Sequence, residues 1–450
     1  MRNVQGEPVL LVNCWDDSNK GDAAITIGTL NMFKANRLAE SFQVSSYVTH
    51  ANTDEMNHGF RHVLHAHPQV DLVPCYFPAL SRSIGKAAAL FRSLRCALKL
   101  LLPGFIPDTP LDNAVRTAKM VVSNGGLYFG FRPTSTFNML YHLFAFSYPM
   151  MLAKRLGVPY VLFSQSFGPF PSPLSRAWMR SLVNHSEGTW CRESFSAEAL
   201  RKIGAEDARL KVIPDAAFGI TSRENAALDQ IPLAGLRSGE YVALSLRSLV
   251  PAGFSAEAEQ TYLRSFGKLI EWIVAEKKMT VVLVAHTLGP IEDEDDRITT
   301  RAVYGALRPE VAVNVVMCEL DLSPQQLCTL YGNSELVVAT RFHAVILSLC
   351  GGTPVIAIPY FGIKTQGALK DMGLSSYTLE VGKIDAAVLQ EKVAFCLQES
   401  STARSEISLI TKRLHEGAMR SGAMLKEVAS GKPAAEPANV RLQNCSWSKE

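Results

Sequence analysis

The sequence predicts an α/β protein built from two doubly wound domains, each a parallel sheet flanked by helices. One observation is a recurring unit: a short apolar, β-branched run ends in a polar or glycine loop, and helical spacing follows. A second is size, since 450 residues exceed what one hydrophobic core usually holds, and 47% hydrophobic residues supply material for two. The third is a single lapse of periodicity at 221–240, carrying Pro232, Gly235 and Gly239, after which a new α/β series begins at Tyr241. In sheets of this kind ligands bind at the carboxyl ends of the strands, so the loops there are the candidate site.

Taken in order, 8–13 reads as the first strand, 14–22 as a polar glycine loop and 23–34 as a helix. Asn19, Gly21 and Asp22 therefore lie at the end of strand one, where Asp22 either caps the helix or meets a substrate hydroxyl. Further strands are expected at 43–49 and 70–74. Between them stand His50, His58, His62, His65 and His67, but no two are paired in a familiar ligand motif with cysteine or a carboxylate, so a surface loop or helix is expected rather than a metal site. Residues 87–102 form a helix with Arg92, Arg95 and Lys99 on one face. It reads either as a surface helix with a charged outer face or as one that lies on an anionic membrane. Residues 119–123 are a buried strand leading to Asn124, Gly125 and Gly126, where glycine permits close approach of a ligand to backbone but also suits any tight turn. A helix at 137–156 and strands at 160–163, 188–191 and around 212–213 complete the first domain.

The second domain repeats the pattern. A strand at 241–246 ends at Arg247, a helix occupies 256–277, and a strand at 280–285 ends at His286, followed by the acidic run 292–296. After a strand at 311–317 and a helix opened by Ser323 and Pro324, the stretch 335–360 reads as a complete βαβ unit. Its first strand, 337–340, runs into Arg341, and the helix 342–350 stops at Gly351 and Gly352. Arg341 and His343 thus stand where a strand end meets a helix start, where the helix dipole favours an anion and Arg341 adds a planar fork of donors. The same residues also read as a solvated loop arginine and a satisfied helix histidine. Lys364 lies in a loop before another helix, 384–398 and 401–428 are helical, and 429–450 reads as disordered. The expected organisation is a first domain over 1–225, a linker at 226–240, a second domain over 241–400, a terminal helix at 401–428 and a tail.

Composition removes several function classes. Lys and Arg number 45 against 42 Asp and Glu, a net charge of +3, which gives no reason to expect nucleic acid. Nine cysteines without a C-x-x-C pair argue against a disulfide framework and a zinc site, and fit reduced thiols in a cytoplasm. The first residues read as strand one rather than signal peptide or anchor, and charges or a proline interrupt the apolar segments 87–102 and 137–152 before either reaches a membrane span.

Certain residues in order carry a resemblance: Asn19-x-Gly21-Asp22-x-Ala24, Gly125-Gly126, Ser166-x-Gly168-Pro169, Arg192-Glu193-Ser194, Pro214-Asp215, Arg341-x-His343, Gly352-x-Pro354 and Tyr360-x-x-x-Lys364. From Asn13 to about Leu397 the chain resembles the polysaccharide pyruvyl transferases, which make pyruvate ketals on cell-envelope and exopolysaccharide sugars from phosphoenolpyruvate. The resemblance implies two Rossmann-like domains facing a cleft, as in GT-B glycosyltransferases, with the donor in the carboxy-terminal one. It implies phosphoenolpyruvate as co-substrate with no other cofactor, and a glycan or lipid-linked oligosaccharide as acceptor. A cytoplasmic enzyme peripheral to the inner membrane fits that acceptor. Many members have a third glycine where this chain has Asn124.

The chemistry suits the residues. Phosphoenolpyruvate carries a carboxylate and a phosphate on three carbons and needs several cations close together, which Arg247, Arg341, His286 and Lys364 supply. Ketal formation needs proton transfer, for which His343 is the first candidate and Asp22 the second. Asn19, Gly21, Gly125 and Gly126 are the expected acceptor contacts. The rival reading is a GT-B glycosyltransferase using a nucleotide sugar, whose diphosphate would sit on the same helix start, although no carboxylate of the second domain is clearly placed to hold a ribose.

Overall fold

A computed structural model describes residues 7–48, 52–74, 76–77, 86–102, 109–130, 136–220, 228–233, 235–360 and 363–431. The expected tail 429–450 lies almost wholly outside them, as do His50 and part of the expected linker.

The chain divides into two units. The first holds an eight-stranded sheet. Its strands are β1 (Val9–Cys14), β2 (Phe42–Ser46), β3 (Val70–Val73), β4 (Met120–Ser123), β5 (Gly126–Phe129), β6 (Tyr160–Phe167), β7 (Gly188–Cys191) and β8 (Leu210–Val212). They run in the order β3-β2-β1-β4-β6-β7-β8, with β5 paired to β6, and every pairing is parallel. The second unit holds β9 (Tyr241–Ser245), β10 (Thr280–Val284), β11 (Val315–Cys318), β12 (Leu336–Ala339) and β13 (Val355–Ala357). Their order is β11-β10-β9-β12-β13, again all parallel. In both sheets the order reverses direction beside the first strand, and a crevice opens at such a point. Strands buried on both faces explain the runs of Val, Leu and Ile: β1, β9 and β12 are buried throughout.

Several elements differ from the sequence expectation. Gly126–Phe129 is a strand rather than a loop, because a glycine at φ +147° turns the chain back into register with β6. The strand expected at 311–317 begins at Val315, since Pro309–Ala312 is a helical turn opened by proline. The histidine-rich segment, for which a surface loop or helix is the expectation, does not depart from it and folds into the helices Thr53–Gly59 and Arg61–Ala66. No helix among the described residues is long and apolar enough to cross a membrane. The helix Lys86–Leu101 is oriented opposite to expectation: Lys99 is buried, with Nζ 2.6 Å from Asp112 Oδ2, whereas Leu90, Phe91, Leu94 and Leu98 are exposed. Asp112 is itself buried and also accepts the Tyr148 hydroxyl at 2.7 Å, so its charge requires a cation on that side.

Neither unit is a continuous segment. Ser18–Ala24, comprising the end of the first loop and the start of the helix Lys20–Ala35, group with the second unit, and the described residues from Glu416 onward group with the first. The first loop was expected in the amino-terminal domain; its placement with the second unit brings it to the site described next.

Candidate active site

The site is assembled at the carboxyl ends of the second sheet. Ser245 of β9 is in register with Ala339 of β12, and Leu244 with Leu283 of β10. Arg247, His286 and Arg341 each stand two residues beyond one level of that register, so three strand ends deliver them to one rim. Tyr360 follows β13 and joins them: Arg247 donates from Nη1 to the Tyr360 hydroxyl at 2.5 Å, and its guanidinium lies 4.2 Å from the ring centroid. Arg247 Nε donates to the Ser248 carbonyl at 2.9 Å, so neither bond uses Nη2.

Arg341 is committed elsewhere. Its Nη2 donates to Asp296 Oδ1 at 2.6 Å and to the Glu294 carbonyl at 2.8 Å, while Nε reaches both Asp296 oxygens at 3.1 Å. Burial works against the Arg341 charge, but Asp296, Tyr360 and Glu294 outweigh it and hold the guanidinium above its ordinary value. Asp296 also accepts the Thr287 amide at 2.9 Å. Arg341 therefore fastens the acidic loop to the rim through Nε and Nη2.

His286 is present at the rim, where its surroundings disfavour the protonated form. Burial first, then the charges of Arg341, His343 and Lys20, hold its imidazole well below the ordinary histidine value. Its Nδ1 lies 3.4 Å from the Tyr331 hydroxyl, and its buried Nε2 has no hydrogen-bond partner among the described residues. Thr287 Oγ1 and Glu294 Oε2 are likewise buried and unpartnered. Burial, opposed by the nearby Arg341, raises the Glu294 carboxyl. Three unmatched polar atoms in one unit, following one strand and its loop, are a reason to expect a polar ligand.

His343 occupies the first turn of the helix Phe342–Cys350, whose start has no side-chain cap. Against it lies the first loop: a Cβ on Gly21 would stand 2.4 Å from His343 Nδ1. Glycine at 21 thus lets the imidazole seat against backbone. Asn19, not Asp22, caps the neighbouring helix, with Oδ1 accepting the Gly21 amide at 3.1 Å and the carbonyl accepting that of Ala23 at 3.1 Å. Asp22 falls inside the first turn of Lys20–Ala35, where its charge suits the dipole. Buried Lys20 pairs with Asp321, and Asn19 bridges to Thr287, which ties this loop to the rim. Lys364 lies in the helix Ile363–Asp371, with its side chain outside the described residues.

Gly125 and Gly126 belong to the first unit, and packing there requires glycine: a Cβ on Gly125 would stand 2.8 Å from both Ile25 Cγ2 and the Ser164 carbonyl. Asn124 has its own role, donating to Thr26 Oγ1 at 2.9 Å and accepting from Thr29 at 3.2 Å. The remaining motif residues of this unit bind one another. Arg192 donates to Ser166 Oγ at 2.7 Å and to Asp215 Oδ2 at 2.9 Å, and Ser166 donates to Glu193 Oε2 at 2.9 Å. These bonds lace together the ends of β6, β7 and β8.

The profile of the family described as "Polysaccharide pyruvyl transferase" matches residues 19–360. The chain belongs to this family. Its match to the amylovoran biosynthesis protein AmsJ of Erwinia amylovora is 28% identical over 240 residues, 51% of this chain and 55% of that protein, so it spans about half the length of that relative. Solved structures share the fold at low identity. Anabaena HepE, crystallised with UDP-glucose, is similar at a TM-score of 0.54 and 13% identity, covering 94% of this chain and all of that one. A putative UDP-N-acetylglucosamine 2-epimerase of Listeria monocytogenes is similar at a TM-score of 0.57 and 12% identity, covering 96% and 99%. These likenesses place the chain among proteins of two Rossmann-like domains, the GT-B-like class.

The acidic residues Glu294 and Asp296 were missed as site residues in the sequence, although the run 292–296 was visible; what pointed to them was their distance of about ten residues beyond a strand-end histidine.

Proposed function

We propose that the protein transfers the pyruvyl group of phosphoenolpyruvate to two hydroxyls of a glycan or its lipid-linked precursor, forming a ketal and releasing phosphate. The observation that carries this reading is the rim of the second sheet, where Arg247, neutral His286 and His343 stand on three strand ends in a chain of the pyruvyl transferase family. In this reading the donor's anionic groups lie at the start of the helix Phe342–Cys350, held by its dipole and by Arg247. His286 Nε2 and Thr287 Oγ1 supply hydrogen bonds without adding charge.

Protonation of the enol methylene makes C2 electrophilic. One sugar hydroxyl adds to C2, the C2–O bond to phosphate breaks, and the second hydroxyl closes the ketal. Of the two hydroxyl protons, one ends on the new methyl group and the other on phosphate. His343 moves the proton, since histidine titrates nearest neutral pH; Glu294, with its raised carboxyl, and Asp22 are the further candidates. Arg341 acts as a positioning residue through Asp296.

The test is transfer of carbon label from phosphoenolpyruvate, with phosphate release, to an acid-labile ketal on a lipid-linked glycan fraction. Equal transfer by wild type and His343→Gln would remove His343 from the mechanism. Transfer of sugar from a nucleotide sugar, with none from phosphoenolpyruvate, would replace the reading by the glycosyltransferase one.

A further inference from the structure

The helix Lys86–Leu101 of the first unit presents its apolar side to solvent and holds Arg92 and Lys99 against the protein. Leu90, Phe91, Leu94, Leu98, Leu101 and Leu102 are all exposed, Phe91 by 67% and Leu101 by 77%. At about 100° per residue they fall within an arc of about 120°, a continuous stripe along the helix. The inward side is fixed by specific bonds. Cys96 is buried, Lys99 pairs with buried Asp112, and Arg92 Nη1 donates to the Tyr76 carbonyl at 3.4 Å with its guanidinium 5.9 Å from that ring. The helix cannot turn its leucines inward without stripping Asp112 of its cation. Arg95 is exposed and flanks the stripe.

The surrounding sequence identifies what covers this face. Between Asp71 and Asp108 there is no acidic residue, and beyond Arg92 and Lys99, which are held against the protein, the segment carries the basic Arg82, Lys86 and Arg95. An apolar stripe within an acid-free, basic segment has the chemistry of a helix lying in the headgroup boundary of an anionic bilayer, with leucines below and arginine at the phosphates. We infer that the helix Lys86–Leu101 docks the protein on an anionic lipid surface through Leu90, Phe91, Leu94, Leu98 and Leu101, with Arg95 contributing at the headgroups.

The test is sedimentation of the full chain with vesicles of phosphatidylcholine alone and of phosphatidylcholine with one-third phosphatidylglycerol. The protein is expected to pellet with the anionic vesicles and to remain in solution with the neutral ones. Phe91→Glu/Leu94→Glu is expected to weaken vesicle binding by at least about ten-fold, from loss of two apolar insertions and gain of like charge. Because both side chains are exposed, the melting temperature should not move. Failure of the wild type to pellet with either vesicle would overturn the inference, as would binding undiminished in the double variant. A wild-type dimer that the double variant converts to monomer, with no vesicle binding, would reassign the face to a second copy of the chain.

Discussion

Gly21 and His343 are in direct contact: no side chain fits at position 21 without displacing the imidazole, because its first carbon would fall 2.4 Å from Nδ1. The contact makes the first loop part of the histidine's seat. It also explains why a motif near the amino terminus and another beyond residue 340 belong to one site.

Gly21→Ala should therefore leave the fold in place and misplace His343. Label transfer from phosphoenolpyruvate is expected to fall by about 10²-fold or more, as small displacements of a catalytic group do. The melting temperature, followed by circular dichroism, should drop by only a few degrees. Wild-type transfer in this variant would show that the seat is not needed.

His343→Gln keeps the size and a hydrogen-bonding end but cannot shuttle a proton near neutrality. A general acid–base group typically contributes about 10²- to 10⁴-fold, and the loss is expected in kcat rather than in donor affinity. Rates measured at saturating phosphoenolpyruvate with an independent binding titration separate the two.

The ion pair of Arg341 with Asp296 is buried on both sides. Removing one partner of such a pair costs about 3–5 kcal/mol, because the other is left charged and unpaired. Arg341→Ala and Asp296→Ala are each expected to lower urea stability strongly, and the double variant by much less than the sum, so a double-mutant cycle reads a large coupling. Additive losses would mean that the pair is not intact in solution. Loss of donor binding in Arg341→Ala cannot on its own identify a donor contact, which makes Arg247 the better probe.

How much of this was legible in the sequence depends on what each residue touches. Strand ends can be read from apolar runs, and Arg247, His286, Arg341 and His343 were found that way. What they pair with was not legible, because Asp296 lies 45 residues before Arg341 and the contact exists only once β10 and β12 flank β9. The charge state of His286 depends on burial, which its neighbours in sequence do not show. At Gly125 the packing against Ile25 and Ser164 requires glycine by itself, and the sequence does not distinguish that requirement from close approach of a ligand. The helix Lys86–Leu101 reads in sequence either as a surface helix with a charged outer face or as a basic helix on an anionic membrane, and neither reading shows that Lys99 turns inward to buried Asp112, which lies outside the helix.

His286 also predicts a pH dependence. Its folded value lies well below 6.5, so the unfolded chain takes up a proton that the buried imidazole does not. The resulting loss of stability is absent above pH 6.5 and grows as pH falls below it, with a slope of at most about 1.4 kcal/mol per pH unit. His67 and His142 are also lowered by burial, so the useful quantity is the difference between wild type and His286→Gln. The variant should lose less stability between pH 6.5 and 5; equal slopes in urea titrations would contradict a neutral, buried His286.

The central claim is that phosphoenolpyruvate is the donor and binds at the rim of the second sheet. Its most direct test is the melting temperature of purified protein titrated with phosphoenolpyruvate and, separately, with a panel of nucleotide sugars, in wild type and Arg247→Ala. The account predicts stabilisation by phosphoenolpyruvate alone, lost in Arg247→Ala; stabilisation by a nucleotide sugar alone would contradict it.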